Sequence, residues 1–436
     1  MQKGKQFYGK WIIFGSLVIT VFTMAIINNT TSFYMTPVCN ELGFATAAFS
    51  GAFSMAAIGA ALGALLAGAL INKIRIRVMM VIGALGTGLS FIGLSVATQL
   101  WHFYVLLLLA DLSMALITNV PLTTMINNWY VDNRGLMTGL VFAGAGLGSI
   151  VLSPLCEQWI LSLGWHSSAM ISGGIILVTA LPVCLLIFIK APDEKGQKPF
   201  TYPEGSPAAL KAAEKAGKES GGAQLNDPNE GVPKKMAMRS SAFLLLVLGL
   251  LCMGMISSGV MVHIPNFLYD LDMNAGFVMS VLSIGMLLGM FATGIVVDKL
   301  GLVKALLLTT VIFSLGMLCV FFTTAKTGFL AYIMAFLVGF SVCISAVGPP
   351  LLTSTVFGTR DYPALYGLNY ALFLVGCVVG PIICGVIYDA SGSYSLVWII
   401  NIFIAVGMFV FSAMGVKSGM ALRRKAAEMQ AAEAKE

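Results

Sequence analysis

The sequence predicts an all-α membrane protein with twelve spanning helices in two six-helix halves. Of its 436 residues, 58% are hydrophobic and only 10% are charged, whereas a soluble domain carries about 25% charged residues. The apolar residues form long runs, and each helix that crosses a bilayer requires about 20 mostly apolar residues. These runs are too long and too uniformly apolar for barrel strands, so helices must satisfy the backbone hydrogen bonds within the membrane.

Twelve apolar runs are expected to cross the membrane, six before and six after a polar central segment. Their expected ranges are 11–36, 47–71, 78–97, 103–127, 136–158, 168–190, 241–265, 276–297, 303–323, 329–352, 364–388 and 395–416. The first run is long and has no small-residue cleavage site after it. We therefore expect it to be a retained span and not a signal peptide.

The distribution of basic residues supports this arrangement, because cytoplasmic loops of membrane proteins are enriched in Lys and Arg. An even number of spans places both termini and the central segment on one side. All of the 25 Lys and Arg residues except Lys326 then fall on that side. We therefore predict a multi-pass protein of the cell membrane with both termini and the central loop in the cytoplasm. The excess of basic residues, a net charge of +6, is thus explained by the topology and requires no nucleic-acid partner.

The polar residues predict neither catalysis nor a metal site. The eight cysteines lie within or at the ends of spans, without metal-ligand spacing, and only Cys39 and Cys156 lie near enough to one surface to be considered for a disulfide. The sequence lacks a phosphate-binding loop and a Gly-x-Ser-x-Gly elbow. We therefore predict a protein that is not an enzyme and that binds no cofactor and no metal.

The central segment, residues 191–240, is rich in Lys, Glu, Gly, Pro and Ala and contains no long apolar run. We predict that it is a cytoplasmic linker, mostly disordered, in which residues 208–218 could form a short surface helix. The linker separates an N-terminal half, 1–190, from a C-terminal half, 241–418, and a cytoplasmic tail follows at 419–436.

The fifth and eleventh spans repeat the same glycine positions at a constant offset of 232 residues. Four matches at one offset indicate an internal repeat of the six-helix unit, in which corresponding helices pack in the same way. The matched pairs are Gly135 with Gly367, Leu136 with Leu368, Gly144 with Gly376, and Gly148 with Gly380.

The stretch from Gly294 to Lys304 reads Gly-x-x-x-Asp-Lys-x-Gly-x-x-Lys and resembles the loop signature of the major facilitator superfamily. The resemblance implies the major facilitator fold and a cytoplasmic gate built from acid–base contacts. The copy in the first half has Asn72 where the acid is expected, which weakens a gate there. A basic loop that only sets topology is the alternative to a gate. The expected gate residues are Asn72, Lys73, Arg134, Asp298, Lys299 and Arg360, with Asp298 and Arg360 as the candidate ion pair.

A narrower resemblance begins at Asn128-Trp129-Tyr130 and continues through Arg134-Gly135 to Ser153-Pro154. It is similar to the branch that contains monocarboxylate porters and oxalate/formate antiporters, and His263-Ile264-Pro265 is similar to that branch's seventh helix. Many members of the branch carry an arginine in helix 8, at the position occupied here by Met290. A dianion would therefore gain little in this cavity.

Two titratable residues are candidates for proton coupling. Asp111 is predicted to lie about eight residues inside the fourth span, where charged groups are costly and usually functional. His263 lies near the outer end of the seventh span, and histidine titrates near physiological pH. The alternatives are a neutral acid between helices and a hydrogen-bonded interface histidine. Glu157, near the outer end of the fifth span, is expected to be solvated.

Uncharged polar residues could bind a small carboxylate or a neutral polar solute through hydrogen bonds. Hydrogen bonding between helices is the alternative role for them. The candidates are Asn28, Asn29 and Thr31 in the first span, Asn119 in the fourth, and Asn369 and Tyr370 in the eleventh.

The resemblance implies a secondary active transporter that moves a small organic acid, a monocarboxylate in the first instance, by alternating access. We expect it to act as a monomer in the lipid bilayer and to couple the small-molecule substrate to a proton or a counter-anion. The main alternative is an exporter of neutral or cationic amphiphiles, suggested by Met290 and by the 25 methionines.

Overall fold

The computed structural model describes residues 7–71, 73–130, 134–201, 231–323, 327–358 and 360–433. Among these residues, eleven helices are long and apolar enough to cross a membrane. One of them, Met137–Leu186, contains 50 residues, whereas about 20 suffice for one crossing. Gly164 within it has a non-helical backbone with φ 80° and ψ 159°, so it forms two spans. The predicted all-helical membrane fold is confirmed, and this division accounts for the twelve spans.

The first unit of the chain begins with helix α1, Gly9–Ile19, which continues without a loop through two π-helical turns, Thr20–Met24 and Ile26–Thr30. A 3-10 turn, Thr31–Tyr34, then leads into α2, Met35–Leu42. The following helices are α3, Thr46–Leu70; α4, Ile76–Leu94; α5, Leu100–Ala115; α6, Asn119–Trp129; and α7, Arg134–Leu186.

After the linker, a short helix α8, Lys234–Met238, precedes the remaining spans. These are α9, Ser241–Asp270; α10, Ala275–Leu300; α11, Leu302–Phe321; α12, Phe329–Val342; α13, Ile344–Phe357; α14, Tyr362–Ser391; and α15, Tyr394–Glu433. The expected linker helix at 208–218 and the exceptional Lys326 lie outside the described residues.

The chain forms two compact units, and their boundaries do not follow the linker alone. The first unit comprises Met1–Ala213 together with Leu268–Ser283, and the second comprises Glu214–Phe267 together with Ile284–Glu436. The first two turns of α10 therefore belong to the first unit, although the rest of that helix belongs to the second.

The repeated glycines bring equivalent helices into close contact within each unit. In the first unit, a Cβ at Gly148 of α7 would overlap the carbonyl oxygen of Val21 in the π-helical part of the first span. In the second unit, a Cβ at Gly380 of α14 would overlap the carbonyl oxygen of Met255 in α9. At this matched pair only a hydrogen atom fits between the two helices, as in small-residue interfaces of membrane helices.

The fourth span of each unit is divided near its centre, and the backbone there is non-helical in the first unit, whereas Cys343 in the second unit keeps helical angles of φ −55° and ψ −21°. In the first unit, α5 ends at Ala115 and α6 begins at Asn119, with Thr118 at φ −113° and ψ −106°. In the second unit, α12 and α13 meet at Cys343. Interrupted helices expose backbone groups at bilayer depth, where such groups are tolerated if they are buried in protein or line a cavity.

Each end of the linker is attached to the fourth span of its own unit. The backbone N–H of Phe200 donates to the carbonyl oxygen of Trp129 at 2.8 Å, and that of Val232 donates to Phe357 at the same distance. Phe200 also packs against Phe7, with ring centroids 5.9 Å apart. The linker is therefore fixed at the last turn of α6 and at the last turn of α13.

Candidate functional site

The polar residues predicted in the first span lie on a π-helical turn, Ile26–Thr30. Asn28 is exposed and Asn29 is half-buried, and neither amide has a hydrogen-bond partner among the described residues. Thr31 is buried, and its hydroxyl donates to the carbonyl oxygen of Ile27 at 2.6 Å. The two amides are better placed to bind a solute than the Thr31 hydroxyl, because that hydroxyl already has a partner in its own helix. Their position on a π-helical turn agrees with this role, since π-bulges are frequent at functional sites.

Asp111 lies inside the first unit on α5, and its side chain is 9% exposed. Within the part of the chain that the structure describes, it has neither a hydrogen bond nor an ion pair. Leu107, one turn earlier on the same face, lines a small cavity with Thr31 and Tyr34. Asp111 thus belongs to the face of α5 that is directed towards the end of the first span's polar segment.

Asn119 is the first residue of α6 and is exposed, directly after the break in the fourth span. The neighbouring Thr118 hydroxyl donates to the carbonyl oxygen of Met114 at 2.8 Å, which satisfies one of the acceptors that the break leaves open. The structure therefore places Asn119 at an irregular point of its span, next to backbone groups outside a regular helix.

In the second unit, His263 is completely buried. Its Nε2 lies 3.0 Å from the carbonyl oxygen of Pro381, and its Nδ1 lies 3.1 Å from the hydroxyl of Tyr394. Because a carbonyl oxygen can only accept, Nε2 carries the proton and donates to Pro381. Both ring nitrogens thus form hydrogen bonds that connect α9 with α14 and α15. This arrangement is the one expected if His263 joins helices and does not carry the coupled proton.

Asn369 on α14 is completely buried and is only partly satisfied. Its Nδ2 donates to the Thr353 hydroxyl oxygen at 3.0 Å, whereas its Oδ1 has no partner among the described residues. The adjacent Tyr370 is 41% exposed and stacks against Phe373 with centroids 5.7 Å apart. The amide oxygen is therefore an open acceptor beside an exposed aromatic ring.

Met290 is 43% exposed on α10. It lies two turns after Ser283 on one face of the helix, whereas the exposed stripe of Ile284, Leu288 and Phe291 follows another face. The methionine is thus exposed away from the main apolar stripe of its own helix. Its expected position beside the substrate stays a prediction.

The gate predicted from the loop signature is described only in part. Asn72 lies outside the described residues, as do the side chains of Arg134 and Asp298, although their backbones form part of α7 and α10. The side chains of Lys73, Lys299 and Arg360 are exposed. The Asp298–Arg360 pair therefore stays a prediction.

Glu157 is 1% exposed, so the expectation that it is solvated is wrong. Its carboxylate accepts the backbone N–H of Ala275 at 2.5 Å and that of Gly276 at 2.8 Å. These are first-turn donors of α10, which have no partner within their own helix. The carboxylate is buried because it caps another helix. The two cysteines considered for a disulfide, Cys39 and Cys156, are not joined by one.

Comparison with known proteins identifies what this arrangement resembles. The model of the Major Facilitator Superfamily matches residues 17–355 and 272–433. Among curated proteins, zebrafish (Danio rerio) monocarboxylate transporter 12-B is 24% identical over 429 residues, covering 93% of this chain and 87% of its own length. The oxalate:formate antiporter of Oxalobacter formigenes is 27% identical over 188 residues, covering 42% of this chain and 44% of its own.

Two solved structures show the same fold at low identity. The nucleoside transporter NupG shares 13% of its residues and covers 96% of this chain and 99% of its own, with a TM-score of 0.66. The peptide transporter POT shares 13% and covers 97% of this chain and 96% of its own, with a TM-score of 0.67. The resemblance to the monocarboxylate and oxalate/formate branch is confirmed, at low identity, by the curated relatives.

Proposed function

The chain belongs to the major facilitator superfamily of membrane transporters, and we propose that it carries a small organic acid, a monocarboxylate, by alternating access. The observation that carries this proposal is that similarity to a protein named as a monocarboxylate transporter extends over 93% of the chain. The predicted orientation, with both termini in the cytoplasm, and the predicted monomeric state are parts of the same proposal.

The chemistry of the candidate residues supports one negative charge on the substrate and argues against two. The candidate hydrogen-bond donors without a partner among the described residues are uncharged: the amides of Asn28, Asn29 and Asn119 in the first unit and the Tyr370 hydroxyl in the second. By the sequence resemblance, Met290 stands at the position where many members of this branch carry an arginine. A single carboxylate can be bound by uncharged donors, whereas a dianion would require a cation in a medium of low polarity.

We propose that Asp111 carries the coupled proton and that His263 has a structural role. Ionised Asp111 would be a carboxylate inside the membrane without a cation partner among the described residues, which is costly. Its exchange between the neutral and ionised forms can therefore be linked to substrate binding. His263 would have to rearrange its bond to Tyr394 in order to accept a second proton. The carboxyl group is therefore the better carrier of the two.

Uptake into proteoliposomes tests the substrate class. Labelled lactate, pyruvate and formate are supplied with and without an inward proton gradient, and oxalate serves as the dianionic comparison. We expect accumulation of at least one monocarboxylate that the gradient increases, and weaker uptake of oxalate. Absence of uptake and of exchange for every monocarboxylate would refute the proposed substrate class.

Substitution of Asp111 tests the coupling. Asp111→Asn keeps the size and removes titration, so we expect exchange of a monocarboxylate across the membrane to continue while gradient-driven accumulation is lost. Asp272→Asn is the matched control, because Asp272 is exposed in the loop after α9 at φ 53°, a conformation that Asn readily adopts. Proton-driven accumulation by Asp111→Asn at the level of the control would exclude Asp111 from the mechanism.

The exporter of neutral or cationic amphiphiles remains a second candidate because Met290 is exposed without belonging to the apolar stripe of its helix. The same proteoliposomes distinguish the two functions. Gradient-driven movement of an amphiphilic cationic dye, together with no movement of monocarboxylates, would favour the exporter.

A further inference from the structure

The buried carboxylate of Glu157 joins two helices that are far apart in sequence. It lies on α7, and its two hydrogen bonds to Ala275 and Gly276 reach the first turn of α10, with 118 and 119 residues between the partners. Both helices contribute these residues to the first compact unit. A carboxylate is well suited to this position, since the N-terminus of a helix carries about half a positive charge together with unpaired N–H donors.

Below this cap, the same two helices stay in contact through small polar groups. The Ser280 hydroxyl donates to the carbonyl oxygen of Ile150 at 2.8 Å, and the Ser283 hydroxyl donates to Ser149 at 2.8 Å. A Cβ at Gly276 would overlap Pro154. The contact therefore extends over two turns of α10, and Glu157 is its only ionisable member among the described residues.

Among the described residues, no cation interacts with Glu157 to hold it ionised. Its stabilising partners in the described structure are the two backbone N–H groups. The titratable groups that interact with it are Cys156 on its own helix and Tyr269 near the end of α9. The hydroxyl of Tyr269 is buried and has no hydrogen-bond partner among the described residues. Within the part of the chain that the structure describes, the charge of Glu157 is thus stabilised by the end of α10.

Protonation would weaken this contact directly. An ionised carboxylate accepts at both oxygens, whereas the O–H of a protonated carboxyl group is a donor, so one of the two bonds to α10 is lost. The remaining bond also loses its charge assistance and the favourable interaction with the helix dipole. The ionised form therefore favours the closed contact between α7 and α10, and the neutral form favours its separation.

We propose that Glu157 is a second proton-binding site, distinct from Asp111, and that proton binding releases α10 from α7. In the predicted orientation, this contact lies at the outer ends of the spans, so acidification outside the membrane would open the contact on that side. The inference deepens the proposed proton-coupled carrier, on which its role in transport rests. Release of the helix itself requires no substrate, so it can be measured separately.

Accessibility of position 280 tests this proposal. Ser280 is 7% exposed beneath the cap, so Ser280→Cys should react with a membrane-impermeant maleimide only when the two helices separate. Ser162→Cys, at an exposed position of α7, corrects for the pH dependence of the thiol reaction. The chain without either substitution gives the background from the native cysteines.

The corrected labelling rate should rise by about tenfold as the pH is lowered from about 7.5 to about 4.5 when Glu157 is present, since acid favours the neutral carboxyl group, which keeps only one bond to α10. With Glu157→Gln the rate should be high at both pH values, because the amide cannot ionise and one of its two groups is a donor. Glu157→Asp, which disturbs the geometry but still titrates, should retain the pH dependence.

Two outcomes would overturn the proposal, and a third concerns only the proposed substrate. A corrected rate that does not change with pH in the chain with Glu157 would overturn the proposal, and so would a retained pH dependence in Glu157→Gln. Glu41→Gln is the control for removing a carboxylate elsewhere in the protein, because Glu41 is a half-exposed carboxylate that accepts a hydrogen bond from the Trp165 indole at 2.7 Å. The Glu41→Gln protein should show the same pH dependence of labelling at position 280 as the protein that retains Glu41. Failure of monocarboxylate uptake with normal pH-dependent labelling would refute the proposed substrate and leave Glu157 in place.

Discussion

Substitution of Gly148 by alanine tests whether the glycine repeat determines how the helices pack. The added Cβ would overlap the carbonyl oxygen of Val21 and would lie 2.8 Å from the Cβ of Ala25. Two carbon atoms attract best at about 3.5–4.0 Å, so the first span and α7 must separate by roughly 1 Å. A backbone carbonyl cannot rotate away as a flexible side chain could.

The expected cost follows from this separation. Overpacking of a close interface costs about 1–3 kcal/mol, and a radial gap of about 1 Å loses up to half of the dispersion energy of the contacts beside it. The gain in helix propensity from Gly to Ala is about 1 kcal/mol and offsets only part of that cost. We therefore expect Gly148→Ala to lower stability by about 1–2 kcal/mol.

Thermal stability in detergent, measured by the fraction that remains monodisperse after heating, provides the assay. Gly139→Ala is the matched control on the same helix, because a Cβ there has no atom within 4 Å; it should be neutral or slightly stabilising. Gly380→Ala should lower stability as Gly148→Ala does, since its Cβ would overlap the Met255 carbonyl oxygen. Equal thermal stability of Gly148→Ala and Gly139→Ala would refute the reasoning.

Two further predictions concern the histidine and the linker. Tyr394→Phe removes the partner of a buried histidine nitrogen and should lower stability by about 1–3 kcal/mol without abolishing proton-driven uptake. Tyr332→Phe, at an exposed ring, is the control for the thermal measurement. Loss of proton coupling in Tyr394→Phe would show that His263 takes part in proton transfer. Phe200→Ala removes aromatic contacts worth about 1 kcal/mol each and should speed tryptic cleavage at Lys198 roughly fivefold in limited proteolysis. An unchanged cleavage rate would show that the ring does not fix the linker.

The fold could be predicted from the sequence because its main determinant, the bilayer, acts on composition. Long apolar runs and the sidedness of the basic residues depend on no particular contact, and the structure confirms an all-helical membrane fold. The glycine repeat was also visible in the sequence, since close helix contacts require glycine at the positions themselves. The contact partners of those glycines, such as Val21 and Met255, became known only from the structure.

The irregular turns could not be predicted in this way. The π-helical segment Ile26–Thr30 and the break at Thr118 arise in apolar runs that resemble their helical neighbours in composition. Such distortions are stabilised by packing and by hydrogen bonds to groups distant in sequence, which local propensity does not record. The sequence indicates Asn28 and Asn119 by their polarity alone, and only the structure shows that they lie on distorted backbone.

The error at Glu157 has a specific origin. Its position near the end of a span suggested contact with water, and its actual partners are backbone N–H groups, which no side-chain pattern reveals. A signal was nevertheless present, because Asn274 is a typical capping residue and its side chain accepts the N–H of Phe277 at 3.0 Å. A helix that begins at Ala275 leaves donors in its first turn that require an acceptor, and a nearby buried acid can supply it.

The titratable residues of the spans differ in what protonation would change around them, which a sequence cannot distinguish. His263 already uses both ring nitrogens, so a second proton would first have to alter the bond to Tyr394. Asp111 has no partner in the described structure that a proton would displace, so protonation changes its charge and little else. Glu157 accepts two backbone N–H groups of α10, and protonation removes one of these bonds. We therefore expect Asp111 to couple the proton to the substrate and Glu157 to couple it to helix separation, and Asp111→Asn should leave the pH dependence of labelling at position 280 intact.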